Sequence, residues 1–197
     1  MADDQQHRVS DPQSVRALAH PLRLQLMDIL GMEPDLTATQ CAERTGESVA
    51  SCSFHLRMLA KYGYVVPAPP RGREKPWRRV TRSRTISPDF EDPSSVQEVS
   101  VLAELVVDRE ADRLRQWLGR DSRTQTEWAD ATPISTTSLW LTPEEAREMA
   151  HAVMEVHTRF SEQFRHRRDD PAQRPADARP VYVLAASSVD VTADVES

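Results

Sequence analysis

The sequence is poor in cysteine, glycine and lysine, and each shortage removes a class of function. Only Cys41 and Cys52 occur in 197 residues. That is too few for a disulfide scaffold, and they lack the paired Cys-x-x-Cys spacing of a structural zinc site, so a reducing, cytoplasmic setting is expected. The five glycines form no phosphate-cradling loop, dinucleotide-binding turn or nucleophile elbow. No Ser/His/Asp or Cys/His set falls at a recognisable spacing, and pairs such as Glu144-Glu145 are explained by helix capping and the helix dipole. Neither an enzyme nor a cofactor is therefore expected. No run approaches the ~20 apolar residues that cross a bilayer. Residues 1–10 are polar, without the apolar stretch of a signal peptide, so no membrane partner is expected.

What is present is arginine, 23 against 2 lysines, and arginine is a planar, permanently charged phosphate binder. The total charge of −6 is unevenly spread. Residues 12–85 carry twelve Lys and Arg against six Asp and Glu, a balance of +6, which leaves −12 on the rest. The cations concentrate in residues 71–84, where seven accompany one acid, Glu74, and the ring of Trp77. Such a run reads either as a solvated loop or as a phosphate-binding surface, and its neighbours favour the second.

Asp11-Pro12 offers an N-cap and a first-position proline to a short helix carrying Val15, Leu18 and Ala19 and ending near His20. Pro21 starts another, with a broad apolar face through Leu30, that Gly31 is expected to stop. Thr37 and Gln40 form a capping-box pattern for a short helix ending at Thr45-Gly46. Ser48 then caps a helix to about Lys61, with Gly63 behind it. Two helices joined by about three residues including a glycine make the helix-turn-helix pattern. In the second helix, Val49, Cys52, Leu56, Leu59 and Ala60 share one face, while Ala50, Ser51, Phe54, Arg57 and Lys61 share the opposite one and His55 sits at the boundary. Strands over residues 64–66 and 77–81, around the basic tip at 71–75, predict a hairpin wing. The helix would enter the major groove with Phe54 on its DNA-binding face, Arg57, Ser51 and Ala50 near the bases and Ser48, His55 and Lys61 nearer the backbone, while Arg71, Arg73, Lys75, Arg78 and Arg79 reach phosphates.

The string Ala17-Leu-Ala-His-Pro-Leu-Arg-Leu-Gln-Leu-Met-Asp-Ile-Leu30, the segment 37–46 and Ser53-Phe-His-Leu-Arg-Met-Leu-Ala-Lys-Tyr-Gly63, followed by the basic hairpin, resemble the ArsR-like winged helix-turn-helix transcriptional regulators of bacteria over residues 11–85. The resemblance implies a homodimer that binds double-stranded DNA at an inverted repeat through the 48–61 helix and usually represses transcription. The other reading is a protein-interaction module with a degenerate winged helix and no specific DNA site.

Metal-sensing members of that family carry Cys-x-Cys in the first helix of the pair. Here that stretch reads Thr37-Ala38-Thr39-Gln40-Cys41, and His151, His157 and His166 do not reproduce the family's other ligand pattern, so no metal is expected. Glu148, His151 and Glu155 read as a solvated helix face. Cys41 and Cys52 fall where small core residues belong, and a redox switch linking the two helices is the competing reading.

The acidic half reads as a linker at 89–95, an amphipathic helix over 96–119 that the resemblance assigns to dimerisation, a strand over 134–141, and a helix opened by Thr142-Pro143. That helix has the stripe Ala146, Met149, Ala150, Val153, His157, Phe160 and Phe164. No ordered element is expected over 169–178, and a further strand is expected over 180–186. Trp117, Trp128, Trp140, His157, Phe160 and Phe164 are candidates for the pocket of an unidentified effector, or else for core and dimer contacts. The expected architecture is mainly α with small β: a winged helix-turn-helix domain over 11–87 and a helical dimerisation and effector module with one or two strands over 94–187. Flexible tails are expected at 1–10 and 188–197.

Overall fold

A computed structural model of the chain describes residues 11–80, 88–120, 128 and 131–190. The chain folds as two compact units, residues 1–121 with 166–174, and residues 122–165 with 175–197.

The first unit opens with α1 (Pro12–Arg16), where the Asp11 carboxylate accepts from Ser14 N at 2.8 Å. This helix stops short of His20 because Pro21, lacking an N–H, cannot continue an incoming helix. His20 instead caps α2 (Pro21–Met32), its Nδ1 accepting from Leu22 N at 3.1 Å. Gly31 does not stop α2 as expected, for the helix runs on to Met32. Its missing side chain serves a close approach, since a Cβ there would stand 2.7 Å from Arg79 Nη1.

The expected capping box opens α3 (Ala38–Thr45): Thr37 N donates to Gln40 Oε1 at 2.9 Å and Gln40 N to Thr37 Oγ1 at 3.2 Å. Gly46, at φ 75°, then takes the left-handed conformation that glycine adopts without steric cost. Ser48 opens α4 (Val49–Lys61), and residues 46–48 alone separate the two helices. The core is built by α2, α3 and α4. Leu26, Cys41, Cys52, Leu56 and Leu59 are all 0% exposed, and truncating one such leucine to alanine costs about 2–5 kcal/mol. Val49 departs from its expected place in this core; in the first turn of α4 it is 46% exposed.

Strands β1 (Val65–Pro67) and β2 (Trp77–Arg79) pair antiparallel, with Val66 opposite Arg78, and the tip closes where Arg71 bridges Glu74. Tyr64 precedes the strand rather than joining it. Its ring is buried and its hydroxyl donates to the Ser14 carbonyl at 2.8 Å, tying the hairpin's root to α1. Leu36 exchanges two backbone hydrogen bonds with Trp77, at 3.1 and 2.8 Å, on the far side of β2. The return strand ends at Arg79, and expected strand residue Thr81, with Arg82 and Arg84 of the basic run, lies outside the described residues.

Helix α5 (Pro93–Leu118) begins before the expected position 96 because Asp92 and Pro93 supply an N-cap and a first-position proline, with Asp92 Oδ1 accepting from Ser94 N at 2.9 Å. It packs on α1. Asp28 of α2 pairs with Arg109 at 3.1 Å and with Arg113. Leu102 is buried, and Val99, Leu105 and Val106 lie against the core. Residues 166–174 also belong to this unit. Arg174 donates from Nη2 to the Met32 carbonyl at 2.5 Å and from Nε to the Arg167 carbonyl at 2.7 Å, and Pro171–Gln173 form a 3-10 turn. The expectation of no order over 169–178 is corrected there, because one of the unsatisfied carbonyls at the end of α2 gains a donor.

In the second unit, α6 (Pro143–Gln163) starts with the Thr142/Glu145 capping box and buries none of its residues. The strands expected over 134–141 and 180–186 are not formed: Ile134 is 63%, Trp140 98% and Val183 68% exposed. Side chains with strand propensity need a partner strand and a covered face, and these segments gain neither. The described chain is therefore mainly helical, with one two-stranded antiparallel sheet in the hairpin.

Candidate nucleic-acid interface

Because Cys52, Leu56 and Leu59 hold one face of α4 in the core, the helical period turns the other face to solvent. Ser48, Ala50, Phe54, Arg57 and Lys61 are exposed, and Ser51 and His55 half-buried. The Ser48 hydroxyl is engaged as a cap, accepting from Ser51 N at 3.0 Å. Arg57 rests Nε on its own helix, at the Ser53 carbonyl 3.3 Å away, and Lys61 Nζ stands 5.3 Å from the centre of the Tyr62 ring. His55 is turned inward. Its ring stacks on His20 with centroids 4.3 Å apart, and its Nδ1 is buried without a hydrogen-bond partner.

The wing's cations divide into two groups. Arg78 forks onto Asp35, which Arg71 also approaches at 3.6 Å. That hydrogen-bonded pairing holds the Asp35 carboxyl below its ordinary range despite its burial. Arg79 keeps exposed surface, yet its Nη1 donates to the Met27 carbonyl at 3.2 Å and burial of the head group pushes its pKa down. Arg73 and Lys75, by contrast, are exposed at the tip. Among the described residues, no carboxylate lies within 4.0 Å of Arg57, Lys61, Arg73 or Lys75. Among the described residues, cations without a carboxylate partner thus stand on the exposed face of α4 and at the wing tip. The sequence-level count missed Asp35 as a counter-ion, for nothing in its spacing from Arg78 announces the contact.

The aromatic residues expected to line an effector pocket are spread over both units. Trp140 is 98% and Phe160 48% exposed, the Phe160 and Phe164 rings are 6.1 Å apart along α6, and Trp117 belongs to the other unit. Trp128 and His157 are half-buried. Both cysteines are buried, and burial, aided by neighbouring Cys52, pushes the Cys41 thiol up to about 12. Among the described residues, no cluster of three His, Cys, Asp or Glu is placed to hold a metal ion. Among them, too, no helix is long and apolar enough to cross a membrane.

No family model and no curated protein matches the chain. Among solved structures, it is similar to a homodimeric winged helix-turn-helix DNA-binding domain (fragment 1–100) from Mycobacterium bovis, named a possible ArsR-family transcriptional regulator. The identity is 21% and the TM-score 0.34, over 50% of this chain and 79% of that one.

Proposed function

We propose that the protein is a sequence-specific DNA-binding transcriptional regulator, a cytoplasmic homodimeric repressor that reads an inverted repeat. The observation that carries the reading is the exposed face of α4, bearing Arg57 and Lys61 with no carboxylate partner among the described residues, beside a hairpin whose tip offers Arg73 and Lys75. A helix presenting polar and cationic side chains on one face fits the major groove, and a cationic hairpin suits flanking phosphates. Arg57, Ser51 and Ala50 would meet base edges; Lys61 and the wing tip would meet the backbone. Support for a second copy comes from α5, where Val107, Leu114 and Leu118 are 47%, 43% and 53% exposed along one stripe. An inverted repeat requires two recognition helices about one DNA turn apart.

The test is selection of bound duplexes from a random pool, followed by a salt titration on the winner. An enriched inverted repeat with half-sites about ten base pairs apart is expected. Weak, salt-dependent binding without enrichment would instead favour a protein partner for the α4 face.

A further inference from the structure

A cleft of about 320 Å³ opens where α1, α2 and the C-terminal half of α4 meet, lined by Gln13, Arg16 and Ala17 from α1 and its C-cap, Arg23 from α2, and Met58 and Tyr62 from α4 and its C-cap. Its volume lies at the small end of the roughly 300–1,000 Å³ typical of ligand sites. Two guanidinium groups reach it, in different electrostatic states. Arg16 is neutralised by Glu98, onto which it forks from Nε at 2.8 Å and from Nη2. Arg23 has no carboxylate within 4.0 Å among the described residues. It donates from Nη2 to the Arg16 carbonyl at 3.2 Å, while its Nε is buried with no hydrogen-bond partner.

A half-buried cation with an unused donor is costly, and burial accordingly lowers the Arg23 pKa. Tyr62 opposes this only in part, and the nearby His20 and His55 offer no negative charge, their pKa values lying below the ordinary one through burial and, in part, through Arg23 itself. What the cleft lacks is one negative charge to face the Arg23 guanidinium, beside a wall of Ala17, Met58 and the Tyr62 ring. We propose that this cleft binds a small organic carboxylate with an apolar tail, its head on Arg23 and its tail against Met58 and Tyr62. Carboxylate oxygens match the guanidinium edge, and a single charge matches the single unneutralised cation.

The ligand would touch α1, α2 and α4 together. Met58 stands one residue beyond Arg57, so filling the cleft fixes the helix that carries the proposed base contacts; this regulatory role rests on the DNA-binding reading, whereas the site itself does not.

The experiment is calorimetric titration of the full chain with hexanoate, with 1-hexanol, acetate and inorganic phosphate as comparisons. Hexanoate is expected to bind saturably at one site per chain, with hexanol and acetate about tenfold weaker or worse, and with a similar loss in Arg23→Gln. Arg23→Lys, which keeps the charge without the fork, should bind at intermediate strength. The site is overturned by an absence of saturable hexanoate binding, by equal binding of hexanol, by phosphate competing as well as hexanoate, or by unchanged binding in Arg23→Gln. The wild-type comparison of hexanoate with hexanol stands even if the variant does not fold. A chain that binds hexanoate but no duplex keeps this site and loses the DNA reading; one that binds duplex but not hexanoate does the reverse.

Discussion

Arg78 and Asp35, 43 positions apart, meet as a two-pronged ion pair, Nε on Oδ1 and Nη2 on Oδ2, each at 2.6 Å. The pair joins β2 to the loop before α3, and Asp35 holds it from a left-handed backbone at φ 58° that aspartate tolerates better than most residues. One carboxylate thereby competes with any phosphate for Arg78 and for part of the charge of Arg71.

Replacing that carboxylate should therefore strengthen nonspecific attraction while weakening the fold. Asp35→Asn is expected to steepen the plot of log affinity against log salt by about one unit for each cation that then finds a phosphate. Arg78 is half-exposed but Asp35 is buried, so the stability lost should be about 1–3 kcal/mol. An unchanged slope would place Arg78 away from the DNA backbone.

Base reading and phosphate binding separate by substitution. Arg57→Ala should relax preference at one base position by about 1–3 kcal/mol. Arg73→Ala and Lys61→Ala should weaken all sequences alike and each lower the salt slope by about one unit. Binding across a panel of single-base operator variants distinguishes them; a uniform loss in Arg57→Ala would make Arg57 a phosphate contact.

Acid should loosen the first unit near neutrality. Burial, with Arg23 nearby and, for His55, the ring of His20 beside it, lowers the pKa of both histidines from 6.5, and Glu47 opposes this only in part. The unfolded chain binds these protons first, so the stability they contribute is complete above about pH 6.5 and falls as pH drops from there toward the lowered folded values. His20→Asn keeps a side-chain acceptor for the α2 cap and should flatten that fall in denaturant midpoints measured from pH 7.5 to 5. An identical pH profile would refute the assignment.

Thiol chemistry gives a further check. With both cysteines at 0% exposure and the Cys41 thiol pushed up to about 12, a thiol reagent at pH 8 should modify neither residue faster than the chain opens, and both should react in denaturant. Rapid modification of one thiol in the native protein would revive the redox switch.

Much of the first unit was legible in the sequence because its signals are local. Asp11-Pro12, Thr37 with Gln40, and Ser48 each announce a helix start within four residues, as Thr142-Pro143 does in the second unit, and each cap is formed. Gly31 misled because the same residue that ends helices also admits a neighbour, here Arg79, which arrives from a strand far along the chain. The division of the wing's cations was illegible for the same reason, since net charge per segment ignores which acid each arginine meets. The strands over 134–141 and 180–186 failed differently. Alternation and β propensity record only a readiness to pair, and the apolar side chains there find no layer to cover them.

Trp140, with 98% of its surface open, gives the second unit an optical reporter. An indole surrounded by water emits at long wavelength and meets dissolved quenchers freely, whereas half-buried Trp77 is partly shielded. Anything that comes to rest on residues 134–141, whether a ligand, another protein or a second chain, would shift that emission to the blue and slow its quenching. A Trp140→Phe chain supplies the matching blank.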